Sequence, residues 1–242
     1  ITDSEFVRRE VIEFFAWPES RVVSVPLGVP EEFHPREEPE VQALLGRHGL
    51  RFREYGLCVA TIEPRKNIVG LLAAYRLLPD TLRRRFPLVL VGDRGWHNEE
   101  ILGDIVRAMR EGWLRYLGYV AEGDLPLLFS GARMFVFPSF YEGFGLPVLE
   151  AMASGLPIVC SNRASLPEVT GEAALLVDPD DVVALGSAIE RALEDEQWNR
   201  DARPASIERA SQFSWDTTAK RTVDVYRLAR TSFSGTVARP AA

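Results

Sequence analysis

The sequence predicts an α/β fold, a doubly wound parallel sheet covered by helices on both faces. Three observations carry that prediction. Short apolar, β-rich runs recur along the chain, amphipathic stretches of helical period separate them, and the runs stay apolar throughout, as strands buried on both faces do. The 242 residues, 46% of them hydrophobic, suffice for one large core or two small ones. A formal charge of −7 and a pI near 5.2 argue against a nucleic-acid-binding face, which needs clustered Lys and Arg.

Taken in order, "SEFVRREVIEFF" at 4–15 reads as a helix and "RVVSVPLGV" at 21–29 as a strand running into a turn at Gly28. The Pro- and Glu-rich residues that follow, through Pro39, read as a domain boundary. Strands are then predicted at 57–62, 87–92, 113–118, 133–139, 157–161 and 174–178, and helices between them at 68–78, 98–109, 122–129 and 147–153. The basic run "LRRRF" at 82–86 reads as the end of a helix, where cations suit the dipole. Three helices without strands follow, at 182–193, 199–210 and 215–230, and residues 232–242 read as a disordered tail. No internal repeat is evident.

Cys58 and Cys160 fall inside apolar runs without a CxxC spacing, so both are expected as reduced core residues. The longest apolar run is far short of the roughly 20 residues of a spanning helix, and no signal-peptide pattern opens the chain. We therefore expect a cytoplasmic protein. His34, His48 and His97 lack ligand spacing, and no metal site is expected.

In such sheets ligands bind beyond the carboxyl ends of the strands. The loops to examine are "EPRKN" at 63–67, "GDRGW" at 92–96, "GYVAEGD" at 118–124, "SFYEGFG" at 139–145 and "SNRASLPE" at 161–168. Two helix starts there break local rules. Arg65 and Lys66 sit at or just before a helix N-terminus near Asn67, where cations oppose the dipole by about 0.3–1 kcal/mol each. An anion would reverse that sign; the alternative is that both side chains point into water and Asn67 caps the helix. In "EGFGLPVLE" at 142–150 a helix starts near Pro147 with Gly145 and Leu146 where a capping Ser, Thr, Asp or Asn would stand. Gly143 and Gly145 allow the backbone close to a ligand, and an oxyanion would satisfy the bare amides. By contrast "SLPE" matches a capping box of Ser165 with Glu168. Two irregular starts after two strands converge on one place and predict a diphosphate. Glu142 and Glu150 flank it and are expected to accept hydrogen bonds from hydroxyls of a ribose or a sugar ring. Taken singly, each acid reads as readily as a solvated loop residue or a helix-start acid.

"EGFGLPVLE" resembles the Glu-x7-Glu signature of the retaining glycosyltransferases of family 4, which have the GT-B fold. "EPRKN", "LGYV", "VFPSFYEGFGLPVLEAMASGLPIV" and "SLPEVTGEAALLVDPDD" resemble successive blocks of that family in the same order. The similarity spans residues 1–230 and is densest over 60–180. It implies a nucleotide-sugar donor between two Rossmann-like domains, with the nucleotide on the C-terminal one. Carried over, Arg65 and Lys66 grip the diphosphate together with the amides of Phe144, Gly145 and Leu146, Glu142 touches the sugar, Glu150 the ribose, and the backbone at Tyr119 and Val120 the base.

The resemblance implies no cofactor and no metal, the donor being a GDP- or UDP-linked substrate. Asp178 and Asp180 imitate the metal motif of the other glycosyltransferase fold, yet Asp180 or Asp181 reads as the cap of the helix at 182. The "EPRKN" form resembles members that use GDP-mannose, so transfer of mannose to a glycan or lipid-linked acceptor is the first expectation, with UDP- and dTDP-sugars next. The implied organisation is residues 1–35 as the end of an N-terminal acceptor domain, 36–210 as the donor domain, 211–230 as a crossover helix and 231–242 as a tail. With most of the acceptor domain missing, the chain alone is expected to bind donor and transfer poorly, and any peripheral membrane contact falls to the missing part. The rival readings are a GT-B sugar-nucleotide epimerase or phosphorylase and a non-catalytic interaction module. A dehydrogenase is disfavoured because no GxGxxG follows the first strand.

Overall fold

The computed structural model describes residues 1–234. Its elements are α1 (Glu5–Phe15), α2 (Glu38–Arg47), β1 (Gly56–Val59), α3 (Ile68–Leu77), α4 (Asp80–Arg85), β2 (Leu88–Val91), α5 (Glu99–Glu111), β3 (Leu114–Gly118), α6 (Leu125–Gly131), β4 (Met134–Phe137), α7 (Leu146–Ala153), β5 (Ile158–Ser161), α8 (Leu166–Thr170), β6 (Ala174–Val177), α9 (Val182–Glu194), α10 (Glu196–Ala210) and α11 (Trp215–Ser234).

The six strands are those the apolar runs predict, and they form one sheet in the order β3-β2-β1-β4-β5-β6 with every pairing parallel. Every residue of β2, β4 and β5 is buried, which is why these runs do not alternate. Strand order reverses between β1 and β4. Right-handed crossovers leaving those two strands in opposite directions put their helices on opposite faces of the sheet. Accordingly α3 packs with α5 and α9, while α7 packs with α6, α8 and α10. Cys58 and Cys160 are buried and free, as expected.

Two expectations need correction. Residues 21–29 form no strand: Thr2 and Ser24 make a single parallel bridge, with Thr2 donating to the Val23 carbonyl at 3.0 Å and Val25 to that of Thr2 at 2.8 Å. Pro26 follows at once and has no N–H to extend the pairing. The last two residues of the Pro- and Glu-rich stretch, Glu38 and Pro39, open α2: the Glu37 N–H donates to Glu40 Oε2 at 2.8 Å, and proline is tolerated in a first turn. At the other end α11 continues to Ser234, so residues 231–234 are helical, and the remainder of the expected tail lies outside the described residues. The basic run at 83–85 does close a helix, α4. Among the described residues no helix is long and apolar enough to cross a membrane.

Candidate functional site

The switch between β1 and β4 brings the two irregular helix starts together. After β1 the residues Pro64–Lys66 make a single 3-10 turn, and Asn67, at φ 53°, caps α3 by accepting from the Gly70 amide at 3.2 Å. Arg65 and Lys66 thus stand outside the first turn of α3, Lys66 largely buried and Arg65 partly exposed, and both are held by acids. The Lys66 ammonium donates to Glu142 Oε1 at 2.6 Å, and an Arg65 Nη1 lies 3.1 Å from Glu142 Oε2. The same Nη1 donates to the Tyr141 carbonyl at 2.7 Å, while Nη2 reaches Glu63 Oε1, also at 2.7 Å. The Lys66 and Glu142 side chains are only 11% and 10% exposed. Two acids therefore balance two cations in a partly desolvated pair of neighbouring loops, a geometry in which removing one charge leaves its partner exposed to the full desolvation cost.

The second start, at Gly145, has no side-chain cap. Gly145 takes φ 105°, a region L side chains avoid, and a Cβ there would lie 2.6 Å from Leu166 Cδ2. Among the described residues the amides of Phe144, Gly145 and Leu146 meet no protein acceptor. The carbonyls of Glu142, Gly143 and Phe144, in contrast, are held. Ser165 Oγ lies 2.8 Å from the Glu142 carbonyl and 2.9 Å from that of Phe144, and Ser4 Oγ donates to that of Gly143 at 2.7 Å. In a trans peptide the following N–H points away from the carbonyl, so hydroxyls that fix the carbonyls also aim the amides. The uncapped start is an array of amide donors beside two cations.

This overturns the capping box predicted for Ser165 and Glu168. Ser165 sits at φ −81°, ψ −11°, an α-region conformation rather than the extended one a cap needs, and makes no cap hydrogen bond. Its hydroxyl serves the loop instead. The Glu168 carboxylate accepts from the amides of Glu5 at 2.9 Å and Phe6 at 3.1 Å, satisfying the first turn of α1. Ser4 and Ser165 are contributors that sequence reasoning missed, for their partners lie 139 and 21 to 23 residues away.

Glu150 lies further along α7, half-buried and, among the described residues, without an ion-pair partner. Burial pushes its carboxyl from the ordinary 4.5 up to about 7. Tyr119 and Val120 follow the edge strand β3; Tyr119 is exposed and Val120 buried, and neither bonds to the residues above. Asp178 and Asp180 both accept from Arg163 Nη2 at 2.6 Å, and it is Asp181 that caps α9. Among the described residues no cluster of three His, Cys, Asp or Glu could hold a metal. A cleft of about 750 Å³ adjoins the site through Pro64 and Phe140, but its walls include none of Arg65, Lys66, Glu142 or Glu150.

Residues 52–211 match the family described as Glycosyl transferases group 1. The chain is 47% identical over 228 residues to the O-antigen chain mannosyltransferase B of Escherichia coli, an alignment covering 94% of this chain and 60% of that protein. It is 36% identical over 237 residues to the serotype-specific mannosyltransferase WbdA of the same organism, covering 95% of this chain and 29% of that one. Among solved structures, Anabaena Alr3699/HepE in complex with UDP and glucose superposes with a TM-score of 0.83 at 20% identity, over 93% of this chain and 62% of that one. The chain thus spans less than two thirds of each protein it matches here.

Proposed function

The chain belongs to the group 1 glycosyl transferases, and from that premise we propose that it supplies the donor site of a retaining enzyme that transfers mannose from GDP-mannose to a glycan or lipid-linked acceptor. Mannose is favoured by the names of the relatives, and assembly of a surface polysaccharide by the O-antigen chain in one of them. The reading rests on one observation: Arg65 and Lys66 converge on Glu142 beside three unpaired amides at 144–146.

In this reading the donor diphosphate accepts from those amides and draws Lys66 and Arg65 away from Glu142. Glu142, released, accepts a hydroxyl of the sugar, and Glu150 accepts those of the ribose. As the bond from the sugar to the diphosphate breaks, negative charge grows on the leaving oxygen, and fixed cations and aligned amides already stand where it develops. Tyr119 and Val120 would meet the base through their backbone. Any metal-free route suits the pairing of Asp178 and Asp180 with Arg163. A reducing, cytoplasmic setting suits the free buried thiols of Cys58 and Cys160.

The test is a pair of variants titrated with nucleotide and nucleoside. Lys66→Ala should weaken GDP by roughly 10- to 100-fold, the worth of one charged hydrogen bond, and leave guanosine nearly unchanged. Glu150→Gln should weaken both ligands alike. Equal small effects at the two positions would sink the assignment.

A further inference from the structure

At the opposite end of the strands, before β1, β4 and β5 rather than after them, a pocket of about 240 Å³ is lined by Arg36, Arg53 and Arg203 together with Ser130 and Ser154. No Asp or Glu lines it, and among the described residues none of the three arginines forms an ion pair. Arg36 is pinned by donating to the carbonyls of His34 and Glu32 at 3.3 and 2.8 Å and to Ser130 Oγ at 3.4 Å. Arg203 donates to the carbonyls of Gly155 and Arg133 at 3.2 and 3.3 Å. Ser154 is 2% exposed, and its hydroxyl has no hydrogen-bond partner among the described residues.

The ordinary explanation for such arginines is that they answer the carbonyl ends of α6 and α7, which finish here. Magnitudes decide against that as the whole account. Two helix ends supply about half a negative charge each, against three guanidinium charges, and leave a surplus of about two. Burial, and then the neighbouring Arg53 and Arg133, push the Arg203 guanidinium down to about 10, and Glu196, which is paired with Arg133 and lies outside the lining, opposes this only as the smallest of the four influences. An unsatisfied buried hydroxyl in the same wall adds a donor that costs free energy until it is used. The pocket is smaller than the roughly 300–1,000 Å³ of sites for larger organic ligands, and its size suits a single ion or a small ester.

We infer that the pocket formed by Arg36, Arg53, Arg203 and Ser154 is a second anion site, which takes a phosphate-type oxyanion, free or carried on a small sugar ester. It is distinct from the loops that follow the strands. The helix α7 joins the two places, with Gly145 before its first turn and Ser154 after its last.

Amide chemical shifts read the two places separately. The full chain is titrated with inorganic phosphate and, in a second series, with a hexose phosphate, both against sodium chloride at matched ionic strength. We expect saturable shifts at Ser154 and Gly155 that chloride does not produce. Arg53→Gln, an exposed change that leaves the core intact, should weaken this binding at least about fivefold, and Ser154→Ala should weaken it too, whereas Lys66→Ala should not. Tighter binding of phosphate marks a free ion as the ligand, and tighter binding of the ester marks a carried phosphoryl group. Shifts confined to residues 144–146, shifts matched by chloride, or an affinity at Ser154 that is indifferent to Arg53→Gln would each overturn the inference.

Discussion

Glu150 offers a prediction whose size and sign both follow from its surroundings. Its carboxyl is raised by burial from 4.5 to about 7, so the folded chain holds the proton more tightly than the unfolded one. Below about pH 4 both states are protonated and the residue costs nothing. As pH rises the unfolded carboxyl ionises first, the folded state pays a growing penalty, and above about pH 8 the penalty levels off. At about 1.4 kcal/mol per unit, two and a half units amount to about 3 kcal/mol. Glu150→Gln removes the charge and keeps the shape, so it should leave stability unchanged near pH 4 and raise it by up to about 3 kcal/mol near pH 8. Urea denaturation of both proteins across that range measures the difference. A gap of constant size would refute the reasoning, since it would mean that the carboxylate is solvated or paired. The same group should report on ligand. Hydroxyl donors favour the ionised form, so nucleotide binding near pH 6.5 should release most of a proton, seen as a dependence of the calorimetric heat on the buffer. Binding without proton release would remove Glu150 from the ribose.

Three further changes probe the loop. Ser165→Ala should cost about 1–3 kcal/mol in denaturation, because two carbonyls lose their only hydroxyl donor, and should weaken diphosphate binding as the amides lose their aim. Gly145→Ala should destabilise by about 1–3 kcal/mol through its φ of 105° and the clash with Leu166, whereas Gly143→Ala, whose Cβ would sit 3.9 Å from Val7, should be near neutral. Glu142→Gln should bind GDP more tightly than the parent, since Lys66 and Arg65 no longer have to leave a carboxylate, and should lose transfer in the complete enzyme; titration beside an activity assay separates the two effects.

What could be read in the sequence was what local pattern controls. Buried parallel strands announce themselves as unbroken apolar runs: five of the six strands lie wholly within the runs predicted for them, and β1 begins one residue earlier, at Gly56. The two irregular helix starts were visible because a missing cap and a misplaced charge are local facts. Their meeting was inferred from topology alone, and contacts 76 residues apart between Lys66 and Glu142 agree with it. The failures are long-range. "SLPE" satisfies a local template, but tertiary partners outbid it: Ser165 turns to the loop and Glu168 to the start of α1. Residues 21–29 have strand composition and lack a partner strand of any length. The anion pocket gathers Arg36, Arg53 and Arg203 from three separate segments, and nothing local to any of them marks it.

The most direct test of the central claim is calorimetric titration of the chain with GDP, UDP, dTDP and ADP in parallel. The account predicts preferential binding of GDP, abolished or strongly weakened by Lys66→Ala. A demonstrably folded chain that binds none of the four, or that binds them equally with Lys66 present or absent, would contradict it.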